Sequence, residues 1–497
     1  MSDSPSGKGV AMGGSQQMLA LARQQMARQQ TLEAARTFTA VLAREPQCVE
    51  ALAQLGFLLF QFNQLSESLT SLHRALDLAP AMPKLNLLTA AVYRKLGRLE
   101  ESAKHCVRET ELCPADADAW YNLGLAQQSL EKPLDAISAY RRALELRPGY
   151  VDAMMGLGLV LRQTDDHAGA RQIFERIIVM DPNHAKAHWE LATILLSHGN
   201  FERGWPEYEW RLQLKDRPAP PHFPQPKWDG GLLHGRSILL HGEQGFGDII
   251  QFSRFAATVA ALGGRVILGC PAALLPIMET VPGVAEVVVD RAKHPPFDVH
   301  ASLLSLPAIL GTTPLTLPNC VPYVFAPPPA NGFPWSGNFA PGLKVGLVWA
   351  AESASANARL RSVPLKFLEP LWNLEGVRWY SLQAGAAATE LAIAAQPPVV
   401  DWGSHFAQFG QTAQAVQTLD LVLTVDTSVA HLAGAMGKPV WTLLPFDADW
   451  RWMQHPTHSP WYPTMRLFRQ ARRGDWTGPV SQIRASLLEK LQSPKIH

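Results

Sequence analysis

Two glycine-flanked loops carry the residue types that could do chemistry. The first reads His241-Gly242-Glu243-Gln244-Gly245-Phe246-Gly247-Asp248. Its glycines allow tight backbone and close approach of a ligand. Asp248 stands where the loop meets an apolar run, so its carboxylate has two uses. It could be a general base that takes a proton from an attacking hydroxyl, or an N-cap that accepts from open helix amides. Glu243 is the reserve carboxylate, and Gln244, Gly245 and Gly247 complete the loop. The second loop, Asp426-Thr427-Ser428-Val429-Ala430-His431, follows the apolar run 421–425. A helix starting there would turn the amides of Thr427, Ser428 and Val429 towards an anion such as a diphosphate, with His431 in its first turn as a further donor. A plain cap with an interfacial His431 is the alternative.

Trp349, Gln383 and the segment 447–452 stand at the ends of other apolar runs. In the segment Arg359-Leu360-Arg361-Ser362, a guanidinium could reach phosphate oxygens. No acidic pair has the look of a Mg²⁺ site, and there is no P-loop, zinc spacing or serine nucleophile elbow. No metal or resident cofactor is expected.

Short apolar or β-branched runs alternate with amphipathic stretches and would position these loops. Strands are expected at 237–241, 265–270, 286–289, 344–350, 377–383, 421–425 and 439–444, with a helix over 249–262. Such alternation indicates parallel sheets covered by helices. Proline-rich linker composition at 215–231 and again from Pro327 to Gly342 divides the region. Two Rossmann-like lobes with a cleft between them follow, and ligands of such sheets bind beyond the carboxyl ends of the strands.

The first part of the chain is a repeat array. Pro46, Pro80, Pro114, Pro148 and Pro182 are each 34 positions apart, and matching helix ends such as Arg74-Ala75-Leu76 and Arg142-Ala143-Leu144 precede them. Proline ends the preceding helix because it lacks an N–H and disfavours α geometry in the residue before it. The run Ala119-Trp120-Tyr121-Asn122-Leu123-Gly124, followed by Ala136 and Tyr140, resembles the tetratricopeptide repeat, whose period is the same. Gly56, Gly124 and Gly158 share one phase, where helices must approach closely; Gly97 falls in a turn. About five and a half repeats run from near Gln16 to near Arg211. Their groove would bind a polypeptide, or else the array is a spacer or dimerisation surface.

Bulk properties set the frame. A formal net charge of +1 gives no case for nucleic acid, and the densest basic group, Arg466, Arg469, Arg472 and Arg473, reads as a solvated surface. The five cysteines are scattered, as in a protein with reduced thiols. The N-terminus shows no export signal, and no apolar run reaches the roughly 20 residues of a membrane span. The chain is expected in the cytoplasm.

The motifs 243–248, Lys344-Val345-Gly346-Leu347-Val348-Trp349 and 426–434, continued by Arg451-Trp452, 459–463 and 467–470, resemble the ADP-heptose:lipopolysaccharide heptosyltransferase family. More closely, the chain is similar to bacterial tetratricopeptide-repeat proteins with a heptosyltransferase-like (glycosyltransferase family 9-like) C-terminal domain. The resemblance implies an all-α tetratricopeptide-repeat superhelix followed by an α/β GT-B glycosyltransferase of two Rossmann-like lobes. That enzyme would be metal-independent and inverting, with a nucleotide sugar as donor. Asp248 would be its base; Asp426, Thr427, Ser428, His431, Gln383, Arg361 and Trp349 would bind the donor. Relatives often read Trp-Ala-Gly and Asn-Asp where this chain has Trp349-Ala350-Ala351 and Asn357-Ala358. The expected divisions are a disordered 1–15, repeats 16–211, a linker 212–232, an acceptor-side lobe 233–330, a hinge 331–342 and a nucleotide-sugar lobe 343–497. The acceptor implied is a protein serine or threonine, flagellin-like, held by the repeats. The alternatives are a lipid or polysaccharide precursor as acceptor, or a non-catalytic scaffold.

Overall fold

The structure is a computed structural model that describes residues 14–217, 219, 221–243, 245–289, 294–328, 335, 341–352, 356–393 and 398–492. It divides into two compact units, Met1–Ala187 and His188–His497.

The first unit is a tetratricopeptide superhelix of antiparallel hairpins. Its helices are α1 (Gly14–Ala27), α2 (Thr31–Arg44), α3 (Val49–Gln61), α4 (Leu65–Leu78), α5 (Leu85–Lys95), α6 (Leu99–Leu112), α7 (Ala117–Ser129), α8 (Pro133–Leu146), α9 (Val151–Gln163) and α10 (His167–Met180). The second helix of every hairpin stops two residues before one of the spaced prolines. Glycines let neighbouring helices touch: a Cβ at Gly124 or Gly156 would lie 2.5 or 2.6 Å from the Tyr140 ring, which fills the gap between α7 and α9. The hairpin turns share a left-handed residue at the same repeat position: Gln29 (φ 59°), Asn63 (61°), Gly97 (74°), Glu131 (56°) and Asp165 (67°). Only Gly97 announces that geometry in the sequence, because the other four side chains accept it at a cost of ~1 kcal/mol or more.

The second unit begins within α11 (Ala185–Ser197) and continues through α12 (Phe201–Tyr208). The last helical hairpin, which the sequence places at the end of the array, therefore groups with the sheets. Trp205 Nε1 donates to Thr312 O at 3.0 Å, and Arg211 forms a two-point ion pair with Glu243. One sheet has β1 (Ser237–His241), β2 (Arg265–Cys270), β3 (Val284–Val289) and β4 (Val299–Ser302) in the order β3-β2-β1-β4. The other has β5 (Leu343–Val348), β6 (Val377–Ser381), β7 (Val399–Asp401), β8 (Leu421–Val425), β9 (Val440–Leu444) and β10 (Met465–Arg469) in the order β10-β9-β8-β5-β6-β7. All paired strands are parallel.

Strands β4, β7 and β10 lie outside the sequence expectation. They are sheet-edge strands, short (β4 and β7) or carrying two arginines (β10), so none makes the apolar run that marks a buried central strand. The expected helix over 249–262 begins earlier, at Phe246, and is interrupted by a 3-10 turn at Ser253–Phe255. Part of the expected linker is built into the first sheet. Trp228 is buried, its backbone N–H donates to His300 O at 2.8 Å, and His300 N–H donates to Pro226 O at 3.1 Å. Residues 226–228 thereby cover the open edge of β4. Arg466, Arg472 and Arg473 are exposed as expected, but Arg469 turns inward and donates to Trp452 O and Met453 O at 2.7 and 2.6 Å. Among the described residues no helix is long and apolar enough to cross a membrane.

Candidate functional site

In the six-stranded sheet the chain winds outward in both directions from the β5/β8 pair, so the loops after these strands leave on opposite faces and open a crevice between them. A cavity of about 550 Å³ occupies that position. Its walls are strand-end segments: Ala350 and Ala351 after β5, Leu382 to Ala384 after β6, Asp426 to Val429 after β8, and Asp449 and Arg451 after β9. Gly245 to Asp248, following β1 of the other sheet, close it from the opposite side. Gly245, Gly247, Asp248, Arg361, Gln383, Asp426, Thr427, Ser428 and His431, far apart in sequence, all line this one space.

Two helices begin in it. Phe246–Phe252 is capped by Gly245 and Ser428–Ala435 by Thr427, and in neither case does the capping side chain bond the first amides. Open amides at the start of the longer helix, Ser428–Ala435, favour an anion. The helices approach each other closely because Gly247 has no side chain: a Cβ there would lie 2.8 Å from His431 Cδ2.

Asp248 is the third residue of its helix and not its N-cap. Its Oδ1 accepts from Arg451 Nη2 at 2.6 Å, and Arg451 Nη1 also donates to Asp449 Oδ1 at 2.9 Å. Burial raises the Asp248 carboxyl above the usual carboxylate value, against the pull of Arg451. Burial also works against Asp449, yet Arg451 holds that carboxyl below its ordinary value. Between two carboxylates, the Arg451 guanidinium stays charged despite its burial.

His431 is 4% exposed, shares a 3.0 Å hydrogen bond through Nδ1 with Tyr462 Oη, and stacks on Trp452. Burial and then the nearby Arg451 push its pKa down to about 3, so at neutral pH it is an uncharged ring that could still donate one N–H. Arg361 Nη1 donates to the backbone oxygen of Asp426 at 3.1 Å and to its carboxylate at 3.4 Å. Asp426 is buried, which raises its pKa. Asp426 thereby holds Arg361 at the cavity wall, and the Nε of Arg361 has no hydrogen-bond partner among the described residues.

Three expected contacts take other places. Gln383 Oε1 accepts from the backbone of Trp349 and Ala350 at 3.2 and 2.9 Å; this side chain ties the end of β5 to the end of β6. Trp349 does not reach the cavity. Side chains alternate along β5, so Val348 faces the cavity while Val345, Leu347 and Trp349 enter the core on the other face of the sheet. Trp349 Nε1 donates to Glu390 there, at 3.0 Å. Glu243 points away, into its ion pair with Arg211, and lines a separate cavity of about 320 Å³ with His241, His300 and Ser302. Gln244 lies outside the described residues. Arg451 and Asp449 are cavity-wall side chains to which the strand-end reading gave no individual role; the signal for them was their position after β9.

Comparison with known proteins bears most directly on the helical part. Residues 19–83 and 121–185 match the tetratricopeptide-repeat family. Protein FlbA of Caulobacter vibrioides is 28% identical over 328 residues, which is 60% of this chain and 54% of that protein, so the chain spans about half the length of this relative. Among solved structures, MamA from residue 41 to its end, of Desulfovibrio magneticus RS-1, is 24% identical, with 35% of this chain and 99% of that one covered and a TM-score of 0.33. YrrB, a tetratricopeptide-repeat protein, is 21% identical, with 36% and 93% covered and a TM-score of 0.32.

Proposed function

We propose that this chain is an inverting, metal-independent glycosyltransferase of the GT-B type that uses a nucleotide-sugar donor. The single observation that supports this most is the convergence of a carboxylate, two guanidinium groups and an uncapped helix start at the strand ends around one cavity between the parallel sheets. In this reading the donor diphosphate lies on the amides of Ser428 and Val429, with Arg361 and His431 as further donors. The acceptor hydroxyl attacks the anomeric carbon while its proton passes to Asp248. The bond from that carbon to the phosphate oxygen breaks, and the nucleoside diphosphate leaves with the electron pair. A carboxylate whose pKa is raised by burial is a stronger base than a solvated one.

The acceptor is a polypeptide serine or threonine, on a flagellin-like surface protein, presented by the repeat groove, since stacked tetratricopeptide hairpins form such grooves for extended chains. Transfer to a lipid or polysaccharide precursor uses the same chemistry. Against a non-catalytic scaffold stand the intact Asp248 and the loop from Asp426 to His431, which line one cavity; Ala358, where relatives often carry a polar residue, argues weakly for it.

The test is a thermal-shift panel of nucleotides and nucleotide sugars, followed by transfer assays with the donor that stabilises the protein. Asp248→Asn is expected to bind that donor and to lose transfer by a factor of about 100 or more. Unchanged turnover would remove Asp248 from the mechanism, and failure of every nucleotide to stabilise the protein would remove the activity.

A further inference from the structure

The four-stranded sheet has a switch point of its own. Its chain runs outward from β1 to β2 and β3, then returns to place β4 on the other side of β1. The connections after β1 and β4 therefore diverge, and a crevice is expected beyond their carboxyl ends. The cavity of about 320 Å³ lies there: His241 ends β1, Ser302 ends β4, and both line it. It shares no lining residue with the cavity around Asp248. Exposed Pro221, His222 and Lys227 border it, while Trp228, Leu212 and Ile309 give it apolar walls.

Empty space inside a close-packed protein is normally apolar and rarely much larger than a water. This space is larger, and its floor is polar. His241, His300, Ser302 and Ser305 all face it, although they are only 6%, 5%, 8% and 7% exposed. His241 Nε2 and His300 Nδ1 share a hydrogen bond of 3.4 Å, which leaves each ring one further nitrogen. Burial lowers the pKa of both rings, that of His241 to about 4, so neither is charged at neutral pH. Glu209 and Glu243 stand on the wall and are both paired with Arg211, and Lys227 stands beside them. The two carboxylates are thus answered by two cations, and the wall calls for no charged ligand. What it offers is donors and acceptors side by side. A hydroxyl is the ligand group that can accept from an imidazole N–H and at the same time donate to a carboxylate or serine oxygen.

We propose that this cavity is a binding site for a neutral saccharide, one ring of which enters beyond β1 and β4. Its hydroxyls meet His300, Ser302 and the two glutamates, and its C–H faces meet Trp228 and Ile309. Ligand cavities run from about 300 to 1,000 Å³, so this one is of a size for a single ring. The site goes beyond the transferase reading and does not rest on it, since it uses none of the groups around Asp248. In a transferase, such a site selects acceptors that already carry a sugar.

The experiment is isothermal titration calorimetry of the full chain with glucose, galactose, mannose, rhamnose and N-acetylglucosamine, repeated in the presence of UDP, ADP, GDP and CDP. One sugar is expected to bind the wild type at a single site, with an affinity that no nucleotide changes. Leu212→Trp fills the cavity, and His300→Phe keeps the ring but not its nitrogens. Each is expected to weaken sugar binding about tenfold or more, as loss of one hydrogen bond to the ligand would. Failure of every sugar to bind, displacement of the sugar by a nucleotide, or binding that a folded variant leaves intact overturns the site. Failure of every nucleotide to bind, with sugar binding intact, bears on the transferase reading alone. If one variant does not fold, the other decides. If neither folds, wild-type crystals soaked in the sugars decide: density beside His300 and Ser302 supports the site, and density elsewhere or nowhere overturns it.

Discussion

Replacing Arg211 by methionine tests whether Glu243 belongs to the chemistry or to the scaffold. The Arg211 side chain is 1% exposed and Glu243 10%, and the two meet through hydrogen bonds of 2.9 and 2.7 Å. Arg211 also donates to Ser305 Oγ at 2.8 Å and pairs with Glu209, which is 34% exposed. Methionine fills most of the volume but leaves Glu243 as a buried carboxylate with no cation, and breaking a buried pair from one side costs about 3–5 kcal/mol. Glu209 can turn into water, so it adds little. Glu243→Gln should cost only ~1–2 kcal/mol, because its amide oxygen still accepts one N–H and Glu209 still balances the guanidinium. The double variant should be more stable than Arg211→Met alone, since it removes the stranded charge. Urea unfolding followed by tryptophan fluorescence is the assay; of the fifteen tryptophans only Trp120 lies outside residues 188–497, so the signal reports on the second unit. A cost below about 1 kcal/mol for Arg211→Met, or a double variant that costs the sum of the two singles, would refute the reasoning.

Two further outcomes follow from the same geometry. His431 and His241 have pKa values pushed down by burial to about 3 and about 4, so the unfolded chain binds protons near pH 6.5 that the folded chain does not. Stability should therefore fall as the pH drops below 6.5, by up to ~1.4 kcal/mol per pH unit for each ring, and the decline from His241 should level off near pH 4; thermal melts of wild type and His241→Gln between pH 7 and 4 check this, and equal slopes would count against it. Gly247→Ala places a methyl 2.8 Å from His431, which Tyr462 and Trp452 hold in place. Overpacking of about 1–3 kcal/mol is expected, with weaker nucleotide binding, read by melting temperature and calorimetry; an unchanged melting temperature would show that the two helices can separate freely.

Much of the architecture was legible because it rests on short-range rules. The spaced prolines marked each helix end in the array, since a proline acts on its own neighbours. The central strands showed as apolar runs because both faces of a parallel strand are buried. The edge strands β4, β7 and β10 did not show, and neither did the left-handed turns at Gln29, Asn63, Glu131 and Asp165, where no glycine marks the backbone.

At the site, sequence alone nominated the loops after β1, β5, β6, β8 and β9, because ligands of parallel sheets lie beyond strand ends whatever the partner. It could not say which way each side chain faces. One step of strand alternation sends Trp349 into the core and Val348 to the cavity, and one long-range ion pair takes Glu243 to Arg211. The pairing of Asp248 with Arg451 joins residues about two hundred positions apart, and no local pattern encodes it. Residue types and their spacing determined the repeats, the parallel sheets and the candidate loops. The tertiary structure decided which charges meet, because that depends on how two sheets pack and not on any stretch of chain.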